Sequence, residues 1–295
     1  MSLCTRATVS ICAHYVPGRI PFLSLVLDSI LTWKMEHVRV VVISNDPVIG
    51  SEDALIAAMG RYSERGWHIE VELATNLEHP YLLPWRQVRI LREWIKSSRD
   101  ADDYYIYIED DMILNWDNIE YYTKLLMPLR AHGLIPGFLR YEVCDGARNS
   151  VDLTEPQLVS IYPTVTIADA KFVCPVNPYW AGFIFDRALA NEYLGSSSCD
   201  MFESQSVMNW GIRERAAMGL TWEAVPGRHK SRCVIPLVDG RPAEYCHIWH
   251  CAQNYNVMPE SKHARIPLSR VFLKGDILTL LMHAGRKLAN VFGAR

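Results

Sequence analysis

The strongest constraint on this sequence is the alternation of short apolar, β-branched segments with longer segments of helical periodicity. The run over 38–43 is apolar at nearly every position, as expected for a strand buried on both faces of a parallel sheet. The alternation predicts strands over 8–13, 38–43, 68–73 and 104–108 and helices over 22–33, 53–62 and 84–96. Strands that alternate with helices predict a mostly parallel, doubly wound α/β sheet over at least residues 5–125.

The sequence after residue 125 is less regular, because prolines interrupt its short strand-like runs. We predict an α+β half there, with strands over 158–162 and 181–186 and helices over 187–193 and 203–218. The last stretch, 263–295, has an excess of basic residues around an apolar centre and predicts a basic amphipathic C-terminal helix. That helix either packs across the domain with its charges in water or docks on an anionic membrane.

The composition excludes several classes of protein. With 295 residues, 49% of them hydrophobic, the chain can bury a large core without disulfides. Its net charge of −3 provides no basic field, so we expect no nucleic-acid partner. The eight cysteines include no Cys-x-x-Cys pair and predict free thiols in a reducing compartment, and no apolar window reaches the ~20 residues that span a bilayer. We therefore predict a cytoplasmic protein, with peripheral attachment to the inner face of the membrane as the alternative.

Three consecutive acids, Glu109, Asp110 and Asp111, follow the strand predicted over 104–108. Like charges this close raise one another's pKa unless a cation joins them, and a hard divalent metal would do so. In an extended strand end Glu109 and Asp111 would point to one side and Asp110 to the other. Open parallel sheets bind ligands at the carboxyl ends of their strands, where these acids fall. A solvated acidic turn is the alternative.

This segment resembles the GT-A glycosyltransferases, in which an Asp-x-Asp motif at the end of the fourth strand holds a divalent metal on a nucleotide-sugar diphosphate. Here the motif is Glu109-Asp110-Asp111. The resemblance implies that Asp111 ligates the metal, that Glu109 contacts the metal or the ribose, and that Asp110 lies with the nucleotide. It also implies that a C-terminal histidine, His250, completes the metal site, with a buried core histidine as the alternative. An imidazole ligand favours Mn²⁺ over Mg²⁺.

Other segments fall where the same family has its nucleotide site. His14 and Tyr15 follow the first strand and resemble the loop that walls the base. Asp46 follows the second strand and resembles the acid that accepts a hydrogen bond from the pyrimidine, although an ordinary turn would use the same residue. Arg86 shares a predicted helix face with Arg89 and would meet phosphate or the nearby acids, or form part of a solvated basic face.

The second half contains candidates for the acceptor side. Tyr179 and Trp180, followed by Gly182, suit a sugar site, where an aromatic ring packs on the C–H face and a glycine lets the backbone approach. The resemblance makes Glu203 the candidate base that accepts the acceptor's proton, with Asp200 as the second choice. Simple helix capping is the alternative for both residues. Inversion and retention at the anomeric carbon both remain open.

The resemblance implies a hexosyltransferase-like enzyme of polysaccharide biosynthesis. It would move a sugar from a UDP- or GDP-linked donor to a saccharide or lipid-linked glycan acceptor with the help of a divalent metal. The alternatives are a non-catalytic binding protein of the same fold and a sugar nucleotidyltransferase. We predict a single GT-A domain, with a nucleotide-sugar-binding half over 1–125, an acceptor-binding half over 126–262 and the basic helix over 263–295.

Overall fold

A computed structural model describes residues 5–97, 103–167 and 169–273 of the chain. Its strands are β1 (Arg6–Ala13), β2 (His37–Ser44), β3 (His68–Leu73), β4 (Asp103–Glu109), β5 (Met112–Ile113), β6 (Ile135–Pro136), β7 (Leu139–Cys144), β8 (Ala147–Ser150), β9 (Gln157–Leu158), β10 (Thr164–Ile167), β11 (Ala170–Val173), β12 (Gly182–Phe185), β13 (Cys233–Val238), β14 (Arg241–Pro242), β15 (His247–His250), β16 (Ile266–Pro267) and β17 (Phe272–Leu273). Its α-helices are α1 (Ile20–Leu31), α2 (Asp53–Glu64), α3 (Gln87–Ser97), α4 (Trp116–Arg130), α5 (Arg187–Leu194), α6 (Ser204–Val207) and α7 (Ile212–Ala216).

The central sheet has the strand order β12-β4-β1-β2-β3, in which β1 to β4 are parallel and β12 is antiparallel. This confirms the predicted mixed α/β class and the four predicted strands. Nearly all residues of β1, β2 and β4 are buried, which is why their sequences are apolar on both faces. The predicted helices form as α1, α2 and α3, although Pro84 lies in a 3₁₀ segment, Pro80–Arg86, that precedes α3.

The strand order changes direction at β1, which lies between β2 and β4. Such a switch point leaves a crevice at the carboxyl ends of the two strands, where ligands bind in open α/β sheets. Cys12 of β1 is in register with Glu109 of β4, and the Asp110 N–H donates to the Cys12 carbonyl at 3.2 Å. The three acids therefore lie at the carboxyl edge of the central sheet, beside the loop that follows β1.

The second half is built from small sheets. One has the order β16-β8-β7-β15-β5, a second contains β10, β11, β13, β14 and β6, and β9 pairs with β17. Because β5 directly follows the three acids and pairs with β15, the first of these sheets brings the end of β15 beside them. The strand predicted over 158–162 is reduced to Gln157–Leu158, whereas the strand over 181–186 and the helix over 187–193 are present as β12 and α5.

The prediction of one long helix over 203–218 is wrong. Met208 is extended, with φ −147° and ψ 132°, and the segment forms the two short helices α6 and α7 instead. The buried Arg215 guanidinium explains the break, because it ties the pieces together through Ser204 Oγ at 3.0 Å and the carbonyls of Trp210 and Met201 at 2.9 and 3.0 Å. A continuous helix over 203–218 would direct the Trp210 carbonyl along its own axis.

The described part of the C-terminal segment differs from the predicted helix, since residues 266–273 form β16, a 3₁₀ turn and β17. The remainder of that prediction, 274–295, lies outside the described residues. The seven cysteines in the described ranges are free, as predicted. None of the helices in those ranges is long and apolar enough to cross a bilayer.

Candidate active site

The three acids after β4 are buried, with 5%, 4% and 3% of Glu109, Asp110 and Asp111 exposed. Glu109 is the last residue of β4, but Asp110 and Asp111 form a turn before β5. The predicted alternation along an extended strand is therefore wrong at this point. Glu109 and Asp111 nevertheless line one cavity, while Asp110 lines a neighbouring one.

Two arginines neutralise these acids. The Arg19 guanidinium donates to Asp110 Oδ2 at 2.9 Å and to Asp111 Oδ2 at 2.8 Å. Arg213, on α7, donates to Glu109 Oε2 at 2.5 Å. Buried carboxylates that lie close together need cationic partners such as these to remain ionised. The sequence analysis identified neither arginine.

His250, the last residue of β15, connects Asp111 to a further acid. Its Nε2 lies 3.3 Å from Asp111 Oδ2, and its Nδ1 lies 2.7 Å from Glu142 Oε1. Glu142, on β7, is fully buried and also accepts the backbone N–H groups of Tyr255 and Asn256 at 3.1 and 2.7 Å. The two carboxylates fix both the position and the orientation of the imidazole ring.

The electrostatics of this cluster follow from burial and pairing. Burial lowers the pKa of His250, but its hydrogen bonds with Asp111 and Glu142 outweigh burial and raise the pKa to about 9. Burial opposes ionisation of Asp111, yet the hydrogen bond with His250 and the charges of His250 and Arg19 lower its pKa below the ordinary value. Burial raises the pKa of Asp110 to about 7 despite Arg19, and the neighbouring Asp111 carboxylate adds to the rise.

The described residues contain no group of three or more His, Cys, Asp or Glu side chains arranged as a complete metal site. Arg213 pairs with Glu109, and Arg19 pairs with Asp110. Asp111 Oδ1, however, is buried without a hydrogen-bond partner, on the carboxylate whose Oδ2 lies 3.3 Å from His250 Nε2. A carboxylate oxygen and an imidazole nitrogen fit a divalent cation that takes its other ligands from a substrate phosphate and water.

The central cavity, which Glu109, Asp111 and His250 line, has a volume of about 260 Å³. Tyr179 forms part of its wall, stacked on Trp210 with ring centroids 5.6 Å apart and with its hydroxyl 3.4 Å from Glu109 Oε1. The Arg140 guanidinium lies over the same ring at 4.5 Å and pairs with Asp152. The full lining is Arg19, Glu109, Asp111, Arg140, Asp152, Asn177, Tyr179, Trp210, Arg213, Glu214, His250, Asn254, Tyr255 and His263.

Trp180 and Gly182 line neither this cavity nor its neighbour. The Trp180 ring is buried in the core against Phe138, with centroids 4.9 Å apart. A Cβ atom on Gly182 would lie 2.7 Å from the Trp180 ring and would collide with the Tyr107 carbonyl. The glycine is therefore required where β12 packs against β4 and the Trp180 ring, and the predicted approach of a sugar to this backbone is not supported.

The second cavity, of about 360 Å³, adjoins the first because Arg19, Glu109 and Arg213 line both. Its remaining wall is mostly aromatic and apolar, and comprises Cys12, His14, Pro80, Tyr81, Leu83, Pro84 and Asp110. His14 and Asp110 are thus placed together, as the nucleotide prediction required. Tyr81, which the sequence analysis missed, is 55% exposed and therefore available for stacking.

Three other predicted nucleotide residues lie outside both linings. The Tyr15 hydroxyl donates to Glu52 Oε1 at 2.6 Å. Asp46 Oδ1 accepts a hydrogen bond from the Val48 N–H at 2.9 Å and caps a short 3₁₀ turn. In this structure Asp46 therefore has the role of an ordinary turn residue, which was the alternative to pyrimidine binding. Arg86 ends the 3₁₀ segment before α3, and its predicted companion Arg89 pairs with Glu72 and Glu93 instead of the site acids.

The predicted base also lies outside both linings. Glu203 is exposed at the start of α6, and exposed Asp200 caps the preceding turn by accepting the N–H groups of Phe202 and Glu203 at 2.8 and 2.9 Å. Those backbone hydrogen bonds lower the pKa of Asp200. Glu214, on α7, lines the central cavity in their place, with its carboxylate packed against the Cα of Gly211.

The sequence analysis missed Arg140 and Glu142 as well. They stand two apart on β7, between the apolar residues Leu139, Tyr141 and Val143. Charges at alternate positions of a strand share one face, and that pattern was the available signal. Nothing in the local sequence of Arg19 or Arg213 marks either residue as a partner of the acids.

Comparison with known proteins adds little to this geometry. No protein-family model matches the chain, and no curated protein matches it. Among the solved structures to which the chain is similar is the crystal structure of S. aureus TarS, with a TM-score of 0.33 and 12% identity over 68% of this chain. The match covers 33% of the TarS chain, so this protein spans about a third of its length.

Proposed function

We propose that this protein transfers a sugar from a UDP- or GDP-linked donor to a hydroxyl group of a saccharide or lipid-linked acceptor. The observation that carries the proposal is the pair of adjoining cavities at the carboxyl edge of the central sheet, joined at Arg19, Glu109 and Arg213. A nucleoside suits the aromatic and apolar cavity, and its diphosphate would then lie at the two shared arginines. The GT-A resemblance of the sequence supports the same reading.

The donor would be held mainly by charge and stacking. Arg19 and Arg213 each present a planar guanidinium that matches phosphate oxygens, and both already lie at the junction of the cavities. His14 and Tyr81 would contact the base on the outer side. Tyr179 and Trp210, stacked on each other, offer the sugar an apolar wall in the central cavity.

Asp111 and His250 are the residues that would hold a divalent metal, because Asp111 Oδ1 has no hydrogen-bond partner and His250 Nε2, which would bind the metal after losing its proton, lies 3.3 Å from Oδ2 of the same carboxylate. Bound there, such a cation would neutralise charge on the departing diphosphate. The nitrogen ligand favours Mn²⁺ over Mg²⁺. Glu142 would keep the imidazole Nε2 directed at Asp111 by accepting from Nδ1.

In the transfer step, the acceptor hydroxyl oxygen bonds to the anomeric carbon, and the bond from that carbon to the diphosphate oxygen breaks. The electron pair of the broken bond leaves with the diphosphate. For an inverting reaction the hydroxyl proton goes to a carboxylate, and Glu214 is better placed for this role than Glu203 because it lines the central cavity. A retaining reaction would use Glu214 to orient the acceptor.

The test is titration of the protein with UDP and with GDP, in the presence and absence of Mn²⁺, followed by assays for nucleotide release from UDP- and GDP-sugars. We expect tight binding of one diphosphate only with Mn²⁺, and release of that nucleotide. Asp111→Asn should weaken the Mn²⁺-dependent binding by more than about a hundredfold, beyond the usual effect of an outer-shell partner. Asp239→Asn, at an exposed hairpin turn, is the matched control and should change nothing.

The other outcomes separate the alternatives. Nucleotide-sugar binding without turnover, even with a wide range of glycan acceptors, would indicate a binding protein of this fold. Release of pyrophosphate from a nucleoside triphosphate and a sugar phosphate would indicate a nucleotidyltransferase. Failure of both diphosphates to bind, with and without the metal, would overturn the proposal.

A further inference from the structure

A third cavity, of about 360 Å³, adjoins the central one. The two share Asp152, Asn177 and His263, whereas the nucleotide cavity shares none of these residues. The remaining wall of the third cavity consists of Thr154, Glu155, Pro156, Gln157, Tyr162, Val176 and Lys262. A molecule in it would reach the central cavity, which Glu214 lines, without passing Arg19 or Arg213.

The shared wall is held rigidly by hydrogen bonds within the protein. Arg140 donates to both carboxylate oxygens of Asp152 at 2.8 and 2.6 Å, and the Asn177 side-chain amide donates to the Asp152 carbonyl at 3.3 Å. His263 Nδ1 lies 2.8 Å from the Val151 carbonyl. Because these groups are fixed before any ligand arrives, binding against them costs little ordering of side chains.

Gln157 provides the observation that points to a ligand. Its Oε1 accepts the Val176 N–H at 3.2 Å, but its Nε2 has no hydrogen-bond partner although the residue is only 3% exposed. A buried amide N–H₂ without an acceptor costs about 1–3 kcal/mol unless something supplies an oxygen. The cavity that Gln157 lines is the space from which a ligand oxygen could come.

The chemistry of the wall selects the class of ligand. Amide, hydroxyl and carboxylate groups alternate with the apolar surfaces of Pro156 and Val176 and with the Tyr162 ring. Charges of both signs are present, because the wall contains Lys262 as well as Asp152 and Glu155, so no strong field favours an ion. A neutral sugar ring, with hydroxyls around its edge and C–H groups on its faces, matches such a mixture.

We propose that this cavity binds a neutral saccharide unit of the acceptor, with the Gln157 amide and the Tyr162 hydroxyl each forming a hydrogen bond with one of its hydroxyls. The assignment of this saccharide as the acceptor rests on the proposed glycosyl transfer. The binding of a saccharide to the cavity does not depend on that reaction, because Gln157, Thr154 and Tyr162 lie outside the nucleotide and central cavities.

The experiment measures binding of a panel of methyl glycosides, namely the glucoside, galactoside, mannoside and N-acetylglucosaminide, by ligand-observed NMR on the full chain. Two variants probe the cavity. Tyr162→Phe removes only a hydroxyl, and Gln157→Glu keeps the acceptor for the Val176 N–H while replacing the unpaired donor. Tyr245→Phe, which removes a hydroxyl from a tyrosine packed on Tyr121 outside all three cavities, is the matched control.

We expect one or more glycosides to bind, with each cavity variant weakening that binding by about three- to tenfold, the effect of one lost hydrogen bond. Tyr245→Phe should bind glycosides as the parent does, and all three variants should bind UDP or GDP with Mn²⁺ as the parent does. Thermal unfolding of each variant shows that it is folded. Two results would each overturn the proposal: no glycoside binding at high millimolar concentration, or binding that both cavity variants leave unchanged.

The outcomes also distinguish this site from the proposed function. Glycoside binding that depends on Gln157 and Tyr162, without any nucleotide binding, would keep the saccharide site and reject the transfer reaction. Nucleotide release without glycoside binding would keep the reaction and reject the site. If both hold, the same variants should raise the KM for a saccharide acceptor and leave the KM for the donor unchanged.

Discussion

Replacing Glu142 with glutamine should destabilise the protein by about 3–5 kcal/mol. The buried carboxylate accepts three hydrogen bonds, from His250 Nδ1, Tyr255 N and Asn256 N. Loss of its charge removes a charge-assisted bond to His250, which contributes about 1.5–3 kcal/mol. The amide of the new glutamine also places its N–H₂ group, a donor, next to at least one N–H donor that then has no acceptor. A buried donor without an acceptor costs about 1–3 kcal/mol.

Chemical denaturation at neutral pH measures this change. Glu244→Gln is the matched control, since Glu244 is 88% exposed and 3.9 Å from Arg148, and it should shift the free energy of unfolding by less than about 0.5 kcal/mol. In a double-mutant cycle, Glu142→Gln and His250→Gln should together cost clearly less than the sum of the single changes, because they disrupt one contact. A loss below about 1 kcal/mol for Glu142→Gln, or additive effects, would refute the reasoning.

Three further predictions follow from other parts of the structure. Burial lowers the pKa of His247 from 6.5 to about 4, so the fold is most stable above pH 6.5, where the histidine is neutral, and loses about 3 kcal/mol as the pH falls to 4. When the free energy of unfolding in urea is measured against pH, it should fall less steeply below pH 6.5 for His247→Leu than for the parent. Equal slopes would contradict this prediction. Gly182→Ala should cost about 1–3 kcal/mol in thermal or urea unfolding because its Cβ meets the Tyr107 carbonyl, whereas Gly50→Ala, with open space around it, should be nearly neutral; equal effects would refute the packing argument. Gly211→Ala would push a Cβ into the Glu214 carboxylate and displace it. The release of nucleotide from the donor should then slow by about tenfold or more, while the affinity for the nucleotide is unchanged. An unchanged rate of release would exclude Glu214 as the base.

The central sheet could be predicted from the sequence because its signal is local. A strand such as β2 is buried on both faces, and its run of apolar residues follows directly from that burial. The segment over 203–218 failed for the opposite reason. Its composition suits a helix, but the buried guanidinium of Arg215 binds the carbonyls of Met201 and Trp210 and stabilises a break that no local pattern records.

In the candidate site, too, some features could be predicted from the sequence and others could not. The position of the three acids could be predicted, since the order of elements places the end of the fourth strand at a switch point. Their partners could not, because the pairs join residues far apart in sequence: 91 positions separate Arg19 from Asp110, and 108 separate Glu142 from His250. His250 was found only through the resemblance. Tyr179 and Trp180 show the limit of the aromatic signal, since one lines the cavity and its neighbour fills the core.

The order of the three cavities makes their roles separable. Arg19 and Arg213 lie at the boundary between the nucleotide and central cavities, and Asp152 and Asn177 lie at the boundary between the central and third cavities. A substitution at a boundary should therefore disturb two binding events, whereas a substitution within one lining should disturb one. Tyr81 and Tyr162, one at each end of the row, form the clearest pair, since neither lines the central cavity. If donor and acceptor meet there, the two tyrosines should act independently on binding.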